Sequence, residues 1–426
     1  MKRTLFWSGL SFASEFLVGF ISLSWISRLY STEELGAWVL FITFLFLGTK
    51  MREGMVQNAL VKFSQTDDAK FKEETFGRGF IFSLIMEILF STIALLAGIF
   101  LPEGLLSSLL LFYGAMAIPQ MLFRYSQLVL QSEVRTQEMA YANVTLIVLM
   151  LCVIGLSFLF VIPFRFLPSI LGIPFFISAI INYSLRISAK NWFSKRDSTF
   201  PVEAFLSYIK SGFIREGVGT LSSRAYLFMS AWIGGLQSSA FVGIASRYTN
   251  LIYLPNSAYQ SVLYPKACQA YTKTDLSGIE SFYKKALAQE FLAFIPFSLA
   301  LIVGAYFIIP IVHGEAYMAS VPFLAVLVLH GAFISPIGHA FGSIMHVLEK
   351  PETVTVLVTY MSLLNLVTTI GFSFIWGVWG SVLAPIFTDI IGLFVMHFFL
   401  KKAGINGLIG SYLSIKQEFK LLIAQI

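Results

Sequence analysis

The sequence predicts an all-α membrane protein of about twelve transmembrane helices in two six-helix bundles with a central cleft. Three observations carry that expectation. The 426 residues are 57% hydrophobic and 12% charged, with 43 Phe, a composition suited to lipid as solvent. Apolar runs longer than the roughly 18 residues that mark a spanning helix recur from end to end. Those runs are continuous, whereas strands of an outer-membrane barrel would alternate apolar and polar over about ten residues.

Taken in order, the first span runs from Leu5 to Ser27. It follows the cations Lys2 and Arg3, but its apolar part exceeds a signal core and no small-residue cleavage site ends it, so it reads as an uncleaved helix. The second, Leu35 to Met55, is interrupted by Lys50, Arg52 and Glu53. Phe80 to Leu101, Leu105 to Leu130, Tyr141 to Pro163 and Phe166 to Ile187 complete the first half. The seventh span, Phe213 to Gly235, is interrupted by Arg215 and Glu216, and the eighth, Ala240 to Tyr264, contains Pro255. Phe291 to Val312, Val321 to Met345, Val354 to Trp376 and Ser381 to Leu400 follow.

Short cytoplasmic loops keep their Lys and Arg. One set of connections holds nearly all the loop cations, including Lys62, Lys70, Lys72, Lys195, Arg196, Lys284 and Lys350, while the other holds little beyond Arg28 and Arg165. Both termini are therefore expected in the cytoplasm. The net charge of +6 follows from this sorting and from anionic lipid, so no nucleic-acid partner is needed to explain it. The polar stretch around Lys195 divides the chain into an N-terminal bundle (1–190), a cytoplasmic linker (191–211), a C-terminal bundle (212–402) and a cytoplasmic tail (403–426). Ser31 to Ala37 after the first helix matches Ser238 to Ile244 after the seventh, which supports a repeat about an axis along the membrane normal. Cys152 and Cys268 are too few and too far apart in setting for a disulfide or a metal site.

Six cations, Lys50, Arg52, Arg124, Arg215, Arg224 and Arg247, fall inside apolar spans. A cation in hydrocarbon costs at least about 2.5–3.5 kcal/mol, so such residues face a wet cavity, a partner charge or a ligand. Lys50, Arg52, Arg124 and Arg215 lie in cytoplasmic halves of their spans, where snorkelling or pairing with Glu53 and Glu216 is also sufficient. Arg224, near the middle, and Arg247, toward the outer half, are harder to connect to a headgroup. Arginine binds phosphate oxygens through a planar fork that keeps its charge. The ladder therefore suits a migrating anion. Asn250, Tyr253 and Asn256 continue a polar stripe beside Arg247 and are candidates for a cavity wall.

The stretch Leu29-Tyr30-Ser31-Thr32-Glu33-Glu34-Leu35-Gly36-Ala37-Trp38 resembles the turn after the first helix of polysaccharide flippases. These belong to the multidrug/oligosaccharidyl-lipid/polysaccharide exporter (MOP) superfamily. Gly243 through Leu254-Pro255 to Tyr264-Pro265, His313-Gly314-Glu315-Ala316-Tyr317 and His346-Val347-Leu348-Glu349-Lys350-Pro351 follow in the order of the O-antigen and exopolysaccharide branch. The resemblance covers nearly the whole chain. It implies a MATE-like fold in the bacterial inner membrane and translocation of an undecaprenyl-pyrophosphate-linked oligosaccharide, with a polysaccharide polymerase and a chain-length regulator as further partners.

Glu15, Glu87 and Asp389 are intramembrane acids that can either pair with the cations or exchange protons or sodium. Glu15 shares a helix face with Ser8 and Ser11. His330, His339 and His346 are poorly spaced for zinc and read as polar lining or interface packing. No HExxH, phosphate-binding Gly-Lys-Ser loop or nucleophile elbow occurs, so neither a cofactor nor an enzyme is expected. Two other classes compete. A multidrug cation antiporter of the same fold would favour acids in its cavity, against the excess of Arg seen here, and a membrane polysaccharide polymerase would need a larger extramembrane loop.

Overall fold

The structure is a computed structural model and describes residues 2–65, 68–160, 162–187, 192, 200–348 and 351–405. The helices are α1 (Lys2–Leu29), α2 (Thr32–Phe63), α3 (Ala69–Phe100), α4 (Leu105–Leu110), α5 (Tyr113–Ser132), α6 (Thr136–Ser157), α7 (Leu167–Leu185), α8 (Val202–Val312), α9 (Ser320–Val347) and α10 (Pro351–Lys402). Among the described residues there is no strand.

The α2 start shows how the sequence sets an end. Ser31 accepts from the Glu34 backbone N–H at 3.3 Å, and the Glu34 carboxylate accepts from the Ser31 backbone N–H at 2.8 Å. This reciprocal box satisfies two N–H groups that the helix itself leaves unbonded. The Ser-Thr-Glu-Glu stretch that carried the family resemblance is thus a capping device.

A straight helix of 111 residues, the length of α8, would extend on the order of 170 Å, several times the thickness of a bilayer core. The run must fold back, and it does so at Gly235, where φ is +76°. Gly377 (φ 62°, ψ −141°) breaks α10 in the same way. Only glycine adopts this backbone without a Cβ penalty. These glycines close the spans expected at Phe213 to Gly235 and Val354 to Trp376. Eight helices among the described residues are long and apolar enough to cross a membrane, two of them 51 residues long. Dividing those two at the glycines and counting α1 and α5 reaches the expected twelve. The fourth expected span, Leu105 to Leu130, is interrupted. Leu111 and Phe112 form a turn between α4 and α5, where the Phe112 N–H bonds the Leu109 carbonyl three residues back.

Two compact units emerge, Met1–Leu221 and Ser222–Ile426. In the first, α1 packs on α6, α5 on α7, and α2 on both α3 and α5. The start of α8 belongs to this unit. Phe205 and Ile209, four residues apart on one face, are buried with Met55, Leu60, Phe76, Tyr125 and Trp192. Gly212 lies so close to α2 that a Cβ there would be 2.0 Å from the Gly54 carbonyl oxygen. Residues 202–221, expected as the end of a linker and the start of the second bundle, therefore form a helix seated on the first unit. In the second unit, Ile279, Tyr283, Leu287 and Phe291 of α8 are buried with Ile337, Phe341 and Ile344 of α9 and with Leu357 and Leu400 of α10. In lipid, such helix contacts are held by close packing rather than by removal of apolar surface from water. The outward faces carry Phe100, Phe158, Phe160, Trp232 and Phe394, each about 70–80% exposed. A surface of that kind is stable against acyl chains and would aggregate in water.

Candidate functional site

Each unit holds its own group of membrane-embedded charges. In the first unit, Arg52 of α2 is 2% exposed and forms an ion pair with Glu87 of α3, also 2% exposed. One residue further along α2, Glu53 takes Lys50 Nζ at 2.8 Å and lies 3.9 Å from Nε of Arg124 on α5. The helical period explains the grouping. Lys50 and Glu53 are three apart and share a face, and neighbours α3 and α5 supply the residues opposite. Three cations thus meet two carboxylates, with Arg52 and Glu87 buried and Lys50 and Arg124 keeping some exposure. Tyr113 lies close enough to Arg52 to interact with its charge. Burial of such a network without its partners would be prohibitive.

In the second unit the arrangement is different. Arg224 and Ser246 lie eleven residues before and after Gly235, so the antiparallel hairpin that Gly235 creates sets them side by side. Arg224 Nη1 points at Ser246 Oγ, 3.5 Å away, and the Tyr226 hydroxyl donates to the same oxygen at 2.7 Å. Arg247 follows, near enough for its charge to be felt by Arg224 and Tyr226. Among the described residues Arg247 makes no ion pair, and part of its surface is accessible. Eleven residues of helix place this group about 16 Å from the turn, roughly half the bilayer core. Two like charges are held together there, among hydroxyls.

The remaining predicted residues disperse. Arg215, on the first unit, is exposed and pairs with Glu216 at 3.2 Å. Asn250 is partly buried on α8. The side chains of Tyr253, Asn256, Glu15 and His339 lie outside the described residues. Asp389 on α10 bonds Nε2 of His330 on α9 at 2.8 Å. Glu87, considered for coupling or pairing, is the partner of Arg52. Among the described residues no three His, Cys, Asp or Glu side chains gather as a metal site.

Sequence reasoning missed Ser246 and Tyr226, although the equal spacing of Arg224 and Ser246 about Gly235 was available as a signal. It also missed the joining of His330 to Asp389, 59 residues apart, for which no local signal exists. Glu290 was missed as well. It is 2% exposed, and among the described residues neither carboxylate oxygen has a hydrogen-bond partner.

These features define a multi-pass membrane protein with the fold of MOP-superfamily transporters. A family model described as polysaccharide biosynthesis protein matches residues 25–322, and the chain belongs to that family. Among solved structures, it is similar to the lipid II flippase MurJ in an inward closed conformation, with 18% identity over 99% of this chain and 93% of that one and a TM-score of 0.71. An inward-facing multidrug resistance MATE family transporter of the MOP superfamily gives 16% identity, 95% of each chain and a TM-score of 0.68. A MOP superfamily transporter from Pyrococcus furiosus, described as having a binding pocket of reverse polarity, gives 16% identity, 94% and 95% coverage and a TM-score of 0.63. No curated protein matches. At these identities the solved structures establish the fold, which is that of transporters and flippases rather than of enzymes.

Proposed function

We propose that the chain moves an undecaprenyl-pyrophosphate-linked oligosaccharide from the cytoplasmic to the outer leaflet of the bacterial inner membrane by alternating access. The observation that carries this reading is the Arg224 and Arg247 pair, two guanidinium groups near mid-membrane depth within reach of each other's charge, with Arg224 beside the Ser246 hydroxyl. A pyrophosphate suits two such groups, since each planar fork can take two of its oxygens. The polyprenyl tail remains in lipid, and the glycan is met by polar side chains such as Asn250, Tyr253 and Asn256. Membership of a polysaccharide biosynthesis family supports a glycan-linked substrate. A cationic drug is less well served, because Glu53 and Glu87 are already matched by Lys50, Arg124 and Arg52. In this reading both termini are cytoplasmic and the polymerase and chain-length regulator act downstream.

The test is complementation of a strain lacking its flippase for a defined surface polysaccharide. Arg224→Ala and Arg247→Ala should each abolish surface polysaccharide while the protein still inserts at normal level. Lys at either position should restore part of the activity, since it supplies charge without the fork. The double variant should be little worse than either single one if both arginines hold one anion. Normal export by both Ala variants would overturn the proposal.

A further inference from the structure

Trp7 of α1 and Tyr141 of α6 meet where these two packed helices enter the membrane, since the expected first and fifth spans begin at Leu5 and Tyr141. Their ring centroids lie 5.4 Å apart at 67°, edge to face. The Gln137 amide donates to the Tyr141 hydroxyl at 2.7 Å and holds that ring in place. Beside the rings opens a cavity of about 470 Å³, lined also by Val134, Arg135 and Glu138. Ligand pockets commonly measure roughly 300–1,000 Å³. A belt of interfacial aromatics accounts for the rings. It does not account for a cavity beside them that contains an ion pair.

The charges of this cavity are pinned. Arg135 donates to Glu138 from Nε at 2.7 Å and from Nη2 at 2.6 Å, to Glu133 from Nη1 at 2.9 Å, and to the Arg186 carbonyl from Nη2 at 2.7 Å. Among the described residues these four bonds leave one of the five guanidinium N–H groups over. Each Glu138 oxygen accepts once from Arg135 and keeps a second lone pair. Lys72 is the other partner of Glu133, so the charges of the described group cancel. A plain anion or a plain cation gains no net attraction there, whereas a small group carrying both signs gains at both ends. The loop adds strain. Val134 has φ 58°, and its N–H and that of Arg135 bond the Gln131 and Leu130 carbonyls at 3.0 and 2.9 Å, a helix-ending motif that usually places glycine at this point. A β-branched residue is an outlier in that conformation, and such strain gathers at ligand clamps. Val134 is 67% exposed on the rim of the cavity.

We propose that this cavity binds the zwitterionic headgroup of phosphatidylethanolamine, with its phosphate at the remaining Arg135 N–H and its ammonium between Glu138 and the Trp7 and Tyr141 rings. A primary ammonium donates N–H bonds to a carboxylate and is drawn to an aromatic face. A quaternary ammonium has no N–H to give and is recognised by a cage of rings. Two rings set edge to face do not enclose it, so the cavity favours ethanolamine over choline. Val134 supplies an apolar rim for the glycerol end of the lipid. The headgroup lies at the level of the aromatic belt, where the two spans begin.

The full chain in detergent should be titrated, with native mass spectrometry as the readout, against phosphatidylethanolamine, phosphatidylcholine and phosphatidylglycerol of the same acyl composition. One phosphatidylethanolamine should bind at a concentration about tenfold below that required by the other two. Tyr141→Leu and Glu138→Gln should each raise that concentration about tenfold, while Trp232→Leu, which removes an exposed aromatic of the second unit, leaves it unchanged. Melting in the same detergent shows which variants are folded, and Tyr141→Leu touches no ion pair, so it decides the matter even where Glu138→Gln does not fold. Val134→Gly should melt no lower than the parent and yet hold the lipid less well. Phosphatidylglycerol or phosphatidylcholine bound as tightly as phosphatidylethanolamine would overturn the site, as would binding unchanged in folded Tyr141→Leu. Soluble phosphoethanolamine that displaces the lipid at equal concentration would overturn the lipid as occupant. None of these readouts uses polysaccharide export, so the result stands whatever the outcome at Arg224 and Arg247.

Discussion

In the first unit Arg52, Lys50 and Arg124 meet Glu87 and Glu53, whereas in the second unit Arg224 and Arg247 meet Ser246, Tyr226 and each other. Both groups put arginine where lipid would exclude it, and they satisfy it by opposite means. Carboxylates a few ångströms away nearly balance the first group, so its charges can hold helices together with no visitor present. The second group sets two like charges on one hairpin, with the Ser246 and Tyr226 hydroxyls beside Arg224. Like charges placed so deep suit an anionic ligand. A cation in a span is thus not by itself a sign of substrate binding, since a neighbouring acid can account for it.

The largest effect should come from breaking the balanced side. Arg52→Ala leaves Glu87 buried without its counter-charge and should destabilise the protein by about 3–5 kcal/mol. Thermal unfolding of detergent-solubilised protein, followed by size-exclusion fluorescence, reads the loss. Arg52→Met combined with Glu87→Leu removes both charges and should recover most of it. Arg247→Met should cost no stability, since it relieves repulsion from Arg224. Equal destabilisation by Arg52→Ala and Arg247→Met would erase the contrast between the two units.

A second, smaller effect sharpens what holds α2 in register with its partners. Gly212→Ala places a Cβ 2.0 Å from the Gly54 carbonyl oxygen, a backbone atom that cannot rotate away. The cost of forcing the helices apart should be about 1–3 kcal/mol. Because α2 also carries Lys50, Arg52 and Glu53, the same melting assay should show the loss. It should be insensitive to salt, unlike the loss of an exposed charge.

Much of this architecture was legible beforehand. Span length and continuous apolarity suffice for helices, and Gly235 and Gly377 stand where the sequence ends its seventh and eleventh spans. The break at Leu111 and Phe112 was not legible, because nothing in Leu109-Leu110-Leu111-Phe112 differs from an uninterrupted apolar helix. The placement of residues 202–221 was hidden for another reason. A polar stretch marks where a chain leaves the membrane, but only packing of Phe205 and Ile209 against Leu60 and Tyr125 decides which unit the next helix joins. For the site, residue types could be named from the cost of charge in lipid, whereas their pairing could not. Arg52 and Glu87 lie 35 residues apart on separate helices, and so their partnership depends on how α2 and α3 rotate about their axes.

The smallest effect lies outside the spans and tests whether balanced charge behaves alike in water. Glu133, between α5 and α6, accepts from Lys72 at 2.7 Å and from Arg135 at 2.9 Å. Burial pushes its carboxyl up, but the hydrogen bonds and charges of Lys72 and Arg135 outweigh that and hold it below the usual carboxylate range. A depressed folded-state value means the contribution is complete above the ordinary carboxylate range and is lost as pH falls through the folded value. All three side chains keep some access to water, so the contribution should be only about 0.2–1 kcal/mol. Glu133→Gln should therefore melt slightly below the parent at neutral pH, and the two should converge below about pH 4. High salt should narrow the gap at neutral pH, while the loss from Arg52→Ala, shielded from ions by its burial, should stay the same. A gap at Glu133 as large and as salt-resistant as that at Arg52 would mean that depth in the membrane is not what gives the buried pair its strength.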